Sequence, residues 1–133
     1  MTKIESKKIT APRPAAELFL YFTDLNHLHD LLPQGKISDW SGSTDRCSFK
    51  VQGAYTIVLL MKEKHPNHLV VLESGEGSPF RFTLNIHLDE KDGTTTVWQQ
   101  CDAEINPFLE MLVKGPLKNL FDYMADKAAE KFA

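Results

Sequence analysis

The sequence has little cysteine: Cys47 and Cys101 are the only two in 133 residues. They lie far apart, each among the apolar residues of a strand-like stretch, and lack the close spacing of a zinc or redox pair. Both are expected to be reduced core thiols. No apolar run approaches the ~20 residues of a membrane helix, and Met1-Thr2-Lys3-Ile4-Glu5 has no export-signal core. A reducing cytoplasm is the expected setting, without membrane insertion. Basic charge is also missing. Fifteen Lys and Arg stand against eighteen Asp and Glu, a formal net charge of -3, which argues against a nucleic-acid partner. The chain has no low-complexity tract, repeat or linker, so residues 1–133 are expected to form one domain.

What is present is a long amphipathic helix at the end, over residues 106–132. Leu109, Leu112, Val113, Leu117, Leu120, Phe121, Met124 and Ala128 recur at the three-and-four spacing of one face. Glu110, Lys114, Lys118, Asp122, Asp126, Lys127 and Glu130 occupy the other. At 1.5 Å per residue the helix would be roughly 40 Å long, and one apolar stripe of that length needs a broad partner. Gly115-Pro116 interrupts it, and the proline is expected to bend it along a curved surface.

The broad partner is legible upstream. Residues 3–10 form a plausible first strand, closed by Ala11-Pro12-Arg13-Pro14. Pro14 suits a helix start, and residues 15–22 carry Leu18, Phe19 and Phe22 on one face. Asp24 can cap a second short helix with Leu25, Leu28, Leu31 and Leu32 apolar, and Pro33 stops it. After Gly35 come strand patterns at 36–40, 46–51, 55–64, 68–74, 80–88 and 94–105. Their dividers are Ser41-Gly42-Ser43, Gly53, His65-Pro66-Asn67, Gly75-Glu76-Gly77 and Lys91-Asp92-Gly93, all with turn chemistry. Such short connections make sequential strands antiparallel neighbours.

Two strands orient the sheet. Phe80, Phe82, Leu84, Ile86 and Leu88 alternate with Arg81, Thr83, Asn85 and His87. Val97, Gln99, Cys101, Ala103 and Ile105 alternate with Thr96, Trp98, Gln100, Asp102 and Glu104. One phase meets a core and the other meets water. The strands at 55–64 and 68–74 are apolar in both phases, so their outer face is expected to be partly covered.

This order of elements resembles the START and pollen-allergen-like helix-grip superfamily, which includes polyketide cyclases, aromatic-ring cyclases and lipid-transfer domains. The similarity is carried by Ile9-Thr10-Ala11-Pro12-Arg13-Pro14-Ala15-Ala16-Glu17-Leu18-Phe19, by Asp24-Leu25 and Pro33, and by Asn106-Pro107-Phe108-Leu109 through Gly115-Pro116-Leu117. It implies an α+β helix-grip fold: a curved antiparallel sheet of about seven strands around the terminal helix, with two short helices between the first and second strands. It also implies a cavity between sheet and helix, and no set of catalytic residues.

Strand phase suggests what would line that cavity: Tyr55, Ile57 and Leu59; Phe80, Phe82 and Leu84; Val97, Gln99 and Cys101. The helix would add Leu109, Val113, Leu117 and Phe121. The same residues could simply fill a core. Gln99 is the informative member, because an amide in an apolar phase needs partners from ligand, water or Tyr55. No metal or cofactor is expected. His27-Leu28-His29-Asp30 looks like a ligand cluster, but residues two apart on a helix diverge. His65 and His68 flank a turn, and His87 lies in the outward phase.

Three readings follow. The first is binding or transport of a small hydrophobic or amphipathic molecule (a lipid, isoprenoid or polyketide-like compound). The second is a cyclase or dehydratase using an inward Glu73, Tyr55 or Asp39 as proton carrier. The third is a pocketless interaction module, as in family members that activate a chaperone ATPase. Trp98 in the polar phase is either a partly exposed aromatic or a homodimer contact.

Overall fold

A computed structural model describes residues 1–52 and 55–133. The expected turn at Gly53 lies outside the described residues. The elements are β1 (Thr2–Glu5), β2 (Ile9–Ala11), α1 (Ala15–Phe22), 3-10 segments at Leu25–Leu31 and Gln34–Lys36, β3 (Ile37–Gly42), β4 (Arg46–Val51), β5 (Tyr55–His65), β6 (Leu69–Ser74), β7 (Arg81–Lys91), β8 (Thr94–Glu104) and α2 (Pro107–Lys131). All pairings are antiparallel, in the order β1-β8-β7-β6-β5-β4-β3, with β2 also on β8. This is the helix-grip arrangement.

The caps form as local chemistry requires. Asp24 accepts from the Asn26 amide, and Asn106 accepts from the Leu109 amide at 2.8 Å, so Pro107 opens α2 where no amide is needed. Ala15 opens α1 differently. Its amide donates to the Glu90 carboxylate at 2.7 Å, tying the helix start to the end of β7.

The single first strand expected over residues 3–10 is two strands. Their registers on β8 differ by one residue, since Glu5 faces Gln100 while Ile9 faces Val97. The extra residue is a bulge, which reverses which side chains face inward. Thr2, Ile4 and Ser6 are buried before it, and Ala11 after it. Ser6 holds the bend: its amide donates to the Gln99 carbonyl and its hydroxyl accepts from the Gln99 amide, both at 2.9 Å. Lys7 completes it by donating its amide to Asp122 of α2 at 2.7 Å.

The inward phase is Phe82, Leu84, Ile86 and Leu88 on β7, and Thr95, Val97, Gln99, Cys101 and Ala103 on β8. Arg81 is exposed, but Asn85 and His87 are half-buried rather than exposed. The outer face carries a polar ladder that shields them: His87 stacks on Trp98 and meets Gln100 at 3.2 Å, while Gln100 and Asn85 both donate to Asp102. Lys8 Nζ stands 4.6 Å from the Trp98 ring centroid. These contacts give Trp98 partners within the chain. Phe80 precedes β7 instead of opening it, and is half-buried. Thr95 is a buried residue absent from the expected inward set; its hydroxyl donates to the Arg13 carbonyl at 2.7 Å.

The doubly apolar strands do have a covered outer face. Val58 and Val71 are buried opposite the core phase. The connection after β6 folds back on Val58: the Gly75 amide donates to the Val58 carbonyl at 2.9 Å, and Ser78 Oγ accepts from the Val58 amide. A Cβ on Gly75 would stand 2.6 Å from Val58 Cγ1. We expect Gly75→Ala to cost about 1–3 kcal/mol through this overlap, whereas Gly35→Ala, with open space around it, should sit within about 0.5 kcal/mol of the parent. Urea denaturation midpoints of the two variants check this.

Candidate functional site

The candidate site is the space between α2 and the concave face of the sheet. The helix backbone lies closest to β1, β2, β8 and the Leu25–Leu31 segment. Lys118 Nζ donates to the Glu5 carbonyl at 3.1 Å, and Lys7 pairs with Asp126 at 3.0 Å. The helix is thus fastened along the β1–β8 side, and long side chains bridge the gap to β4, β5 and β7.

That bridge is nearly complete. Directly beneath the helix a void of about 20 Å³ remains, room for about one water-sized sphere. Ile57, Leu59, Phe80, Phe82, Leu84, Cys101, Leu117 and Phe121, all expected there, line it. Phe49, Leu120 and Met124 line it too. Phe49 was missed although β4 carries the signal, with Cys47, Phe49 and Val51 alternating against Arg46, Ser48 and Lys50. The lining is wholly apolar, and burial pushes the Cys101 thiol up to about 12, with Asp102 adding to the shift.

Val97 and Gln99 lie elsewhere, beside a second void of about 10 Å³ that also touches Phe22, Leu28, Ala128 and Met124. Gln99 does not bond to Tyr55. Its Nε2 donates to the Phe121 carbonyl of α2 at 3.3 Å. Its Oε1 is, among the described residues, the one buried side-chain polar atom without a partner.

Tyr55 sits in a third place, an open groove of about 290 Å³. One wall is Pro33, Lys36, Ile37 and Val51; the other is Leu112, Pro116, Leu120 and Tyr123 of α2. Burial raises the Tyr55 hydroxyl above its ordinary range. Leu112 was expected on the buried face of the helix but is 58% exposed, with Phe108 at 71% and Met111 at 82% beside it. Because α2 begins beyond its fastened stretch, only Val113 is buried here and Leu109 half-buried, while Glu110 and Lys114 pair at 3.8 Å on the polar side.

The acids that could have served a reaction lie outside this space. Glu73 borders a groove on the outer face, 3.9 Å from Lys62. Asp39 is exposed at an irregularity of β3, with φ of 53°. His27 and His29 diverge, the first stacked on Tyr21 and the second on Trp40. Among the described residues no three His, Cys, Asp or Glu side chains gather as a metal site would need, and no helix is long and apolar enough to cross a membrane.

No family model matches the chain, and no curated protein matches it. Solved structures do. The protein XoxI from Bacillus cereus is 11% identical over 99% of this chain and 96% of its own, with a TM-score of 0.77. A Thermobifida fusca protein is 15% identical, covers 99% and 93%, and scores 0.73. A START superfamily protein from Mycobacterium smegmatis is 11% identical, covers 98% and 99%, and scores 0.69. The chain has the START-like, helix-grip fold. Identities this low carry the fold and nothing finer.

Cys47 and Cys101 are free and buried, on strands β4 and β8 that β5, β6 and β7 separate. Burial also pushes the Cys47 thiol up to about 12. A raised pKa keeps both as unreactive neutral thiols at pH 8. Ellman titration at that pH should find no rapid reaction in folded protein and two thiols in guanidinium. Rapid reaction of the folded protein would place one thiol at the surface.

Proposed function

We propose that the chain binds a small hydrophobic or amphipathic molecule between α2 and the sheet, with the groove at Tyr55 and Leu112 as the mouth. The observation that carries this reading is the groove itself. Its volume of about 290 Å³ is close to the lower end of small-ligand sites, roughly 300–1,000 Å³. Leu120 lines both the groove and the void beneath the helix, so a single apolar side chain stands between the two. Affinity would come from apolar burial, about 25 cal/mol per Å², with the Tyr55 hydroxyl and Lys36 at the mouth for a polar end. Ile57, Leu59, Phe80, Phe82, Leu84, Cys101, Leu117 and Phe121 then form the deeper lining, with Leu109 and Val113 on the first turns of α2.

Of the three proton carriers of the enzyme reading, Glu73 and Asp39 stand apart from this space and only Tyr55 borders it. The interaction-module reading has one observation in its favour: Phe108, Met111 and Leu112 are exposed together on the first turns of α2. Both readings place the working surface at the same end of the helix, and a ligand assay separates them.

Leu112→Glu should leave stability within about 0.5 kcal/mol, since the side chain is exposed, and weaken binding of a dansyl-labelled fatty acid about tenfold. Leu117→Trp should instead cost about 1–3 kcal/mol, because the void beneath it in the unliganded protein, about 20 Å³, is too small for the added volume. Denaturation midpoints and dansyl fluorescence on the same variants read both. Absence of probe binding by the parent protein, or binding unchanged in Leu112→Glu, would reject the ligand-carrier reading.

A further inference from the structure

The two voids and the groove lie in series, as their shared walls show. Leu120 borders the groove and the first void; Met124 borders the first void and the second. Beyond Met124 the path ends at Gln99, which is only 7% exposed. The orientation of its amide is set by chemistry. The Phe121 carbonyl accepts and cannot donate, so Nε2 must face it and Oε1 is the atom left over. An acceptor buried among apolar side chains with no donor is costly, and native structures supply one from protein, water or ligand. The void beside it, about 10 Å³, is at the lower bound for a single water.

We propose that Gln99 is the specificity-determining residue of the site and that the ligand is an apolar chain or ring ending in a hydroxyl. This rests on the binding reading above and names the ligand class for it. The apolar body enters under Leu120, where the voids of about 20 and 10 Å³ must widen to admit it. The Met124 side chain, unbranched and the most adaptable apolar wall, moves aside. The ligand hydroxyl then donates to Gln99 Oε1. A carboxylate or an ether in that position offers lone pairs to lone pairs, so the same atom excludes them. Leu28, Ala128 and Val97 close the far end and leave room for a hydroxyl but no larger headgroup.

The test compares two isomers, decan-1-ol and nonyl methyl ether, which share a formula and differ in the terminal donor. Competition against the dansyl fatty acid gives their affinities, and the Gln99 side-chain amide signal in a ¹H–¹⁵N spectrum reports the contact. The parent protein should take the alcohol about tenfold more tightly than the ether, and the alcohol alone should shift the Gln99 amide. Gln99→Leu should bind both isomers within about twofold of each other, and Gln99→Met serves if that variant does not fold. Equal affinities in the parent protein overturn the Gln99 assignment, mark Oε1 as the partner of a resident water, and leave the binding reading standing. Failure of the parent protein to bind either isomer or the dansyl probe overturns both.

Discussion

The structure depends on where α2 is fastened. Leu117, Leu120, Phe121, Met124 and Ala128 bury one face of it, with Phe132 buried just past its end, and Lys7, Lys118 and Asp122 stitch its polar flank to the first strand pair. Each fully buried Leu, Phe or Met is worth about 1.5–3 kcal/mol, so the apolar stripe outweighs the exposed ion pairs, which contribute at most about 1 kcal/mol each. The helix therefore takes its position from its C-terminal two-thirds. The remainder extends past the support, and the groove is the consequence.

Pro116 stands where the two parts meet. It lacks the amide that would bond to the Leu112 carbonyl, which removes one rung of the helix. The first turns of α2 thus combine a missing hydrogen bond, exposed apolar residues and little backbone support, features of a segment that opens at low cost. On the proposed route under Leu120, a ligand would meet this part of the helix first. Deeper in, the interior is closed by ordinary core packing, and Met124 is its most compliant wall.

Gln99 joins the two ends of the chain. Its backbone pairs with Ser6 at the bulge, and its side chain reaches Phe121 of α2. An Oε1 left unpaired would cost about 1–3 kcal/mol, so the position calls for a donor from water or ligand. A leucine would fill the position without that cost, so the amide is a feature of the chain that packing alone does not explain.

The alternations in β7 and β8, the turn residues between strands and the stripe of α2 were sufficient to derive the sheet, its inward face and the gripping helix. Periodicity determines these, because a strand's side chains must alternate and a helix must bury one face. The bulge at Ser6 was not legible, since it arises from a one-residue mismatch between two strands distant in sequence. Leu112 and Leu117 look alike in a helical pattern, and only the extent of the supporting surface makes one exposed and the other buried. For the same reason the thirteen residues expected in one cavity are divided among two small voids, a groove and the first turns of α2. Phase tells which way a side chain points, while the size of the space it points into is set by everything packed against it.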